Sequence, residues 1–201
     1  MAYPRVLFRY SSVYDDQWRF YAVQSGANTY PRTEKVRSFL DRLEQEWRVH
    51  EDVVFSSIAK NSGIPWETIE HTCYVVGSAA PFSDPLTLPV FSDEAPIDYA
   101  ADVLTHELIH RNLLESSFVG KWDGVMNRLR GDFPDASENT LVHVIVHAIH
   151  WRVFLEVFSA NRLERERRVM AKNADYQRSW DIVESVGAER VIRMYLHNER
   201  T

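Results

Sequence analysis

The sequence predicts an α+β fold, mostly helical, in which a small sheet packs on a central helix and a second long helix carries further site residues. Three observations lead there. Apolar residues recur with a helical period from about Glu34 to Val49 and along two later segments. Ile69 to Gly77 is instead rich in β-branched and aromatic residues and is bounded by Gly and Ser. The two later helical segments carry histidines one turn apart, His106 with His110 and His143 with His147. At 201 residues the chain is expected to form one domain. In that reading 1–68 is an N-terminal helical elaboration, 69–159 the site-bearing core and 160–201 a set of C-terminal helices.

Taken in order, Val6 to Tyr10 reads as a short strand. Pro31-Arg32-Thr33 marks a helix start with Thr33 as N-cap. Val36, Phe39, Leu40, Leu43 and Trp47 form the apolar stripe of the helix that follows. Val53 to Lys60 is helical and closes at Asn61-Ser62-Gly63, a C-cap signal. After the strand at Ile69–Gly77, three prolines punctuate an extended stretch. There Leu86 to Leu88 and Val90-Phe91 are expected to form an edge strand, because proline is tolerated at edges. Asp93-Glu94-Ala95-Pro96 opens the central helix, which should reach about Leu114. Phe118 to Leu129 reads as a short helix and Gly131 to Pro134 as a turn. Asp135 with Glu138 forms a capping box for a long apolar helix, about Ala136 to Ser159. The charges from Arg162 to Arg168 predict a solvated helix face. Tyr176 to Val186 and Ala188 to Leu196 are two final short helices around Gly187.

Composition narrows the function classes. A net charge of −6 disfavours non-specific binding to nucleic acid or to anionic membranes. The lone cysteine, Cys73, permits no disulfide within the chain and is expected to be a buried strand residue. Charges interrupt Met1 to Tyr10, so this stretch is not expected to act as a signal peptide. No apolar run approaches the roughly 20 residues that a membrane span needs. These readings together predict a cytoplasmic protein.

The chemistry concentrates in Thr105-His106-Glu107-Leu108-Ile109-His110, an H-E-x-x-H sequence inside an apolar-periodic segment. On a helix His106 and His110 share a face, and two imidazoles so placed can both reach one Zn²⁺ at about 2.0–2.1 Å. Glu107 lies about 100° around the helix, where it can take a proton from an activated water. A catalytic zinc site needs a third ligand. The long helix offers His143, His147 and His150 on one face, which Asn139 and Phe154 extend. Glu138 and Glu156 lie about 140° and 220° from His143 and do not share that face. Glu115, placed on the motif helix itself, lies about 140° from His110. A histidine is therefore the expected third ligand, His143 or else His147. If His143 is the ligand, His147 orients a liganding histidine or faces substrate. His150 reads as a surface or core residue, and His50 and His71 as structural. Tyr74 and Tyr99 are candidate donors to an oxyanion. The plainer alternative is a set of helical histidines with ordinary packing roles.

His106, Glu107 and His110, with the extended stretch 69–91 before them, resemble the zincin superfamily of metallopeptidases. The organisation is most similar to the compact gluzincins, where a second helix carries the third ligand and a supporting residue follows one turn later. His143 and His147 occupy comparable places. The chain departs from gluzincins in lacking a glutamate at the third position. It departs from metzincins in having Leu113 and Ser116 where their glycine and histidine stand. The resemblance covers roughly 69–159. It implies a zinc-dependent peptidase with a peptide or protein substrate bound along an edge strand and with Glu107 as general base. A zincin-like metal-binding domain with a regulatory or binding role is the alternative, and a non-peptidase metal hydrolase is a third.

Overall fold

A computed structural model describes residues 4–198. The class is α+β and mostly helical: 64% of the described residues are helix, against one small four-stranded mixed sheet. The described residues group into two compact units, one of residues 4–52 and 68–111, the other of 53–67 and 112–198.

The first unit is built on the sheet. Its strands are β1 (Arg5–Arg9), β2 (Glu70–Val76), β3 (Phe82–Ser83) and β4 (Leu86–Pro89), in the order β1-β2-β4-β3. β1 and β4 run parallel to β2, and β3 runs antiparallel to β4. β2 alternates as its composition requires, sending His71, Cys73 and Val75 inward. Helix α2 (Thr33–Arg48) lies on β1 and β2 and buries Val36, Phe39, Leu43 and Trp47 of the expected stripe. Leu40 is only partly buried. The carboxylate of Glu51 closes this corner, accepting from the Val6 backbone N–H at 2.8 Å and from the Trp47 indole N–H at 2.9 Å. A second buried acid, Asp15, accepts from the Gly77 N–H and the Tyr30 hydroxyl, both at 2.7 Å. The Tyr30 ring fills the space a Cβ at residue 77 would need, so only glycine fits there. The same unit holds most of α4 (Ile97–Asn112), whose Ala100, Ala101, Leu104, Leu108 and Ile109 are buried.

Helix α1 (Ser12–Gln24) lies in the N-terminal stretch for which the sequence reading named no element beyond the strand at Val6 to Tyr10. Three expectations for this unit are corrected. Thr33 is not the cap of α2: Arg32 is, in extended conformation, and Thr33 is the first helical residue. β4 is not an edge strand, because the two residues of β3 pair with it; the edges are β1 and β3. The central helix stops at Asn112, so Glu115 does not lie on it.

The second unit is a helical bundle around α7 (Glu138–Val157). α3 (Glu51–Ser62) contributes from Val53 onward, followed by α5 (Ser116–Val119) and α6 (Trp122–Asp132). Then come α8 (Ala160–Met170), α9 (Ala174–Val186) and α10 (Ala188–Tyr195). α6, α8, α9 and α10 all pack on α7. Gly63 at φ 72° ends α3 as the sequence predicts. α7 is apolar and long enough to cross a membrane, alone among the helices of the described residues, yet 67% of that stretch is buried inside the protein. It is a core helix covered on most sides, which explains why it is apolar nearly all round.

Here too the boundaries move. The segment expected as one short helix at 118–129 is two, α5 and α6, and α6 runs through Gly131. The expected capping box is not formed. Ser137 caps α7 by accepting from the Thr140 N–H at 3.0 Å, and Glu138 instead pairs with Arg130. Glu115 is the buried N-cap residue of α5. Glu156 is occupied away from the histidines, accepting from Ser57, Lys60 and Asn61. The charged helix α8 is not uniformly solvated, because Glu166 is fully buried.

Candidate metal centre

α4 delivers the first half of the site. His106 and His110 lie one turn apart, and their Nε2 atoms face each other at 3.3 Å. At most one of them can carry a proton there, so at least one lone pair points into the gap. Two nitrogens held at 2.0–2.1 Å by one tetrahedral ion stand about 3.3–3.4 Å apart. The observed spacing is that of a chelating pair. His106 is buried and His110 half-buried. Glu107, between them in sequence, is 7% exposed, and burial pushes its carboxyl up to about 8. Burial pushes the Cys73 thiol on β2 upward, and the Glu107 charge adds to that shift. Cys73 is buried in the strand, as expected.

α7 delivers the second half. His143 is buried, and its Nδ1 lies 2.7 Å from the Asn139 carbonyl oxygen. A carbonyl can only accept, so Nδ1 carries the proton and the Nε2 lone pair is left for another partner. This is the arrangement found in most metal-binding histidines. Burial lowers the His143 pKa, which favours the neutral form that ligates.

One ligand atom from each of His106, His110 and His143 falls within 4.8 Å of the other two, and this triad could hold a metal ion. His147 is not among them. It is fully buried and stacks flat on Trp180, with ring centroids 4.1 Å apart at 9°. Its Nδ1 lies 2.7 Å from Ser179 Oγ. The Ser179 hydroxyl donates to the Tyr176 carbonyl at 2.8 Å, so His147 Nδ1–H is the donor in that pair. His150 is also fully buried and stacks on Phe154 at 4.0 Å, which resolves it as a core residue. Burial drops its pKa to about 3, and that of His71 on β2 to about 4.

The residues around the α7 histidines that the sequence did not single out are Asp175, Tyr176, Ser179 and Trp180, all on α9. Their only signal is a spacing of i, i+1, i+4, i+5, which marks any helix face. Compared with known protein families, with curated proteins and with solved structures, the chain matches none of them.

Proposed function

We propose that the protein is a zinc-dependent hydrolase acting on peptide bonds, with His106, His110 and His143 as ligands and Glu107 as general base. The observation that carries this reading is a group of three imidazole nitrogens within 4.8 Å of one another, with the buried Glu107 next to His106 in the chain. All-imidazole donors suit zinc, and a divalent ion bound by them supplies Lewis-acid activation of water and of a carbonyl oxygen. Glu107 accepts the proton of the attacking water and returns it to the leaving nitrogen. Burial raises the Glu107 carboxyl, and a divalent ion bound beside it would favour the ionised form that accepts the proton. His147 is a packing residue in this reading, since its nitrogens fall outside the triad and its ring lies on Trp180 with Nδ1–H given to Ser179. The peptide substrate is carried over from the likeness of the H-E-x-x-H segment to zincins, and a peptide adding to the sheet would pair with β1 or β3, the two edge strands.

The test is metal analysis of the purified protein together with the Glu107→Gln variant. That variant should keep its metal and lose about 10²–10⁴-fold in hydrolysis of a peptide library, the usual worth of a general base. Undiminished cleavage by the variant would falsify the mechanism.

The near-complete burial of His106, Glu107 and His143 favours a second reading, a metal-holding domain with a regulatory or binding role and little hydrolysis. A protein that retains stoichiometric metal and cleaves nothing in the library would establish that reading instead.

A further inference from the structure

The first turn of α9 is tied to the first turn of α7 by one carboxylate. Asp175 accepts from Ser137 Oγ at 2.6 Å, Thr140 Oγ1 at 3.1 Å and Asn139 Nδ2 at 3.0 Å. Asn139 is also the residue whose carbonyl accepts the His143 Nδ1 proton. The next residue on α9, Tyr176, lays its ring on the His143 imidazole, with centroids 4.2 Å apart at 36°. Two constraints therefore meet on the third ligand. The Asn139 backbone carbonyl sets which nitrogen is protonated, the Tyr176 ring sets the tilt, and Asp175 ties the Asn139 side chain to the first turn of α9, which carries Tyr176. Asp175 and Tyr176 are only partly buried, so filling the core is not their main use. Partners that fix the protonated nitrogen and the orientation of a ligating histidine are a recognised way to tune that ligand.

We propose that Asp175 and Tyr176 are positioning residues for the metal ligand His143, a role that rests on the metal-site reading above. Binding of Zn²⁺ and Co²⁺ to the full-length protein, measured by competition with a chromophoric chelator, tests it. The visible spectrum of the Co²⁺ form reports the ligand geometry, and thermal melts of the metal-free proteins report folding. Asp175→Asn and Tyr176→Leu should each bind both metals about 10–100-fold more weakly, with an altered Co²⁺ spectrum. Tyr176→Phe keeps the ring and should restore wild-type affinity. Wild-type affinity and spectrum in Asp175→Asn or Tyr176→Leu overturns the proposal, even where the metal-free melting temperature falls, because the residues are then structural only. If Tyr176→Leu does not fold, Asp175→Asn, which keeps size and shape, decides alone. His143→Ala separates the two readings. Loss of metal in His143→Ala with undisturbed Asp175→Asn defeats only this proposal, whereas unchanged binding in His143→Ala defeats the metal site.

Discussion

His143 and His150 stand on one face of α7, two turns apart, and meet opposite surroundings. His143 gives its Nδ1 proton to a carbonyl and keeps a lone pair on the other nitrogen. His150 lies flat on Phe154 and edge-on to Trp180 in an aromatic cluster that includes Trp151 and Phe158. His147, between them, is held by Ser179 and stacked on Trp180. A shared helical face thus gives three histidines a common direction but not a common role. The role is set by what α9 places against each turn: Asp175 and Tyr176 at the first, Ser179 and Trp180 at the next.

The sharpest way to break this contrast is to remove the two histidines one at a time. His143→Ala should lose metal binding by roughly 10²-fold or more, since a total of about 10–16 kcal/mol shared among a few ligands puts several on each. His147→Ala should leave metal affinity nearly unchanged and instead lower stability by about 2–4 kcal/mol, through the cavity under Trp180 and the lost partner of Ser179. Chelator competition and urea unfolding on both variants check the pair. Metal loss in His147→Ala with retention in His143→Ala would reverse the assignment.

How far the sequence carries follows the same line. β2, the α2 stripe, the end of α3 at Gly63 and the two helices around Gly187 were all legible, because each depends on local composition or on glycine at positive φ. α1 was not. It leaves Val13, Phe20, Tyr21 and Val23 exposed, so it has no apolar stripe for a period to reveal. The cap of α7 was misplaced by two residues because Asp135 and Ser137 are both good capping types, and only geometry selects Ser137. At the site, the His106–His110 pair was legible from spacing alone. That the triad takes in His143 and leaves out His147 was not, because the two share one face of α7 and only distances between ring nitrogens separate them.

A smaller effect separates the same residues by pH. His150 titrates at about 3 in the folded protein and near 6.5 when unfolded, so between those values the unfolded state binds the extra proton. Its contribution is present above pH 6.5 and is lost as pH falls toward 3, at roughly 1.4 kcal/mol per pH unit. His150→Leu removes that slope. Urea unfolding at pH 7 and pH 5 should show the variant losing about 2 kcal/mol less than wild type over this interval, from the 1.5 units below 6.5. Equal losses would mean that the His150 pocket admits water or a proton partner and that the packing role is misread.

The finest distinction lies in the Ser179 hydroxyl. It accepts from His147 and donates to the Tyr176 carbonyl, so Ser179→Ala removes two hydrogen bonds and leaves the buried His147 N–H without its acceptor. An unsatisfied buried donor costs about 1–3 kcal/mol, and removing the hydroxyl oxygen creates no steric conflict. Stability should therefore fall by about that amount, while metal affinity holds, because the proposed orientation of His143 uses the Asn139 carbonyl, Asp175 and the Tyr176 ring, whereas Ser179 meets only the Tyr176 backbone. A tenfold loss of metal in Ser179→Ala, about 1.4 kcal/mol of coupling, would show that His147 transmits the position of α9 to the ligand. The separation between a ligating turn and a packing turn on α7 would then no longer stand.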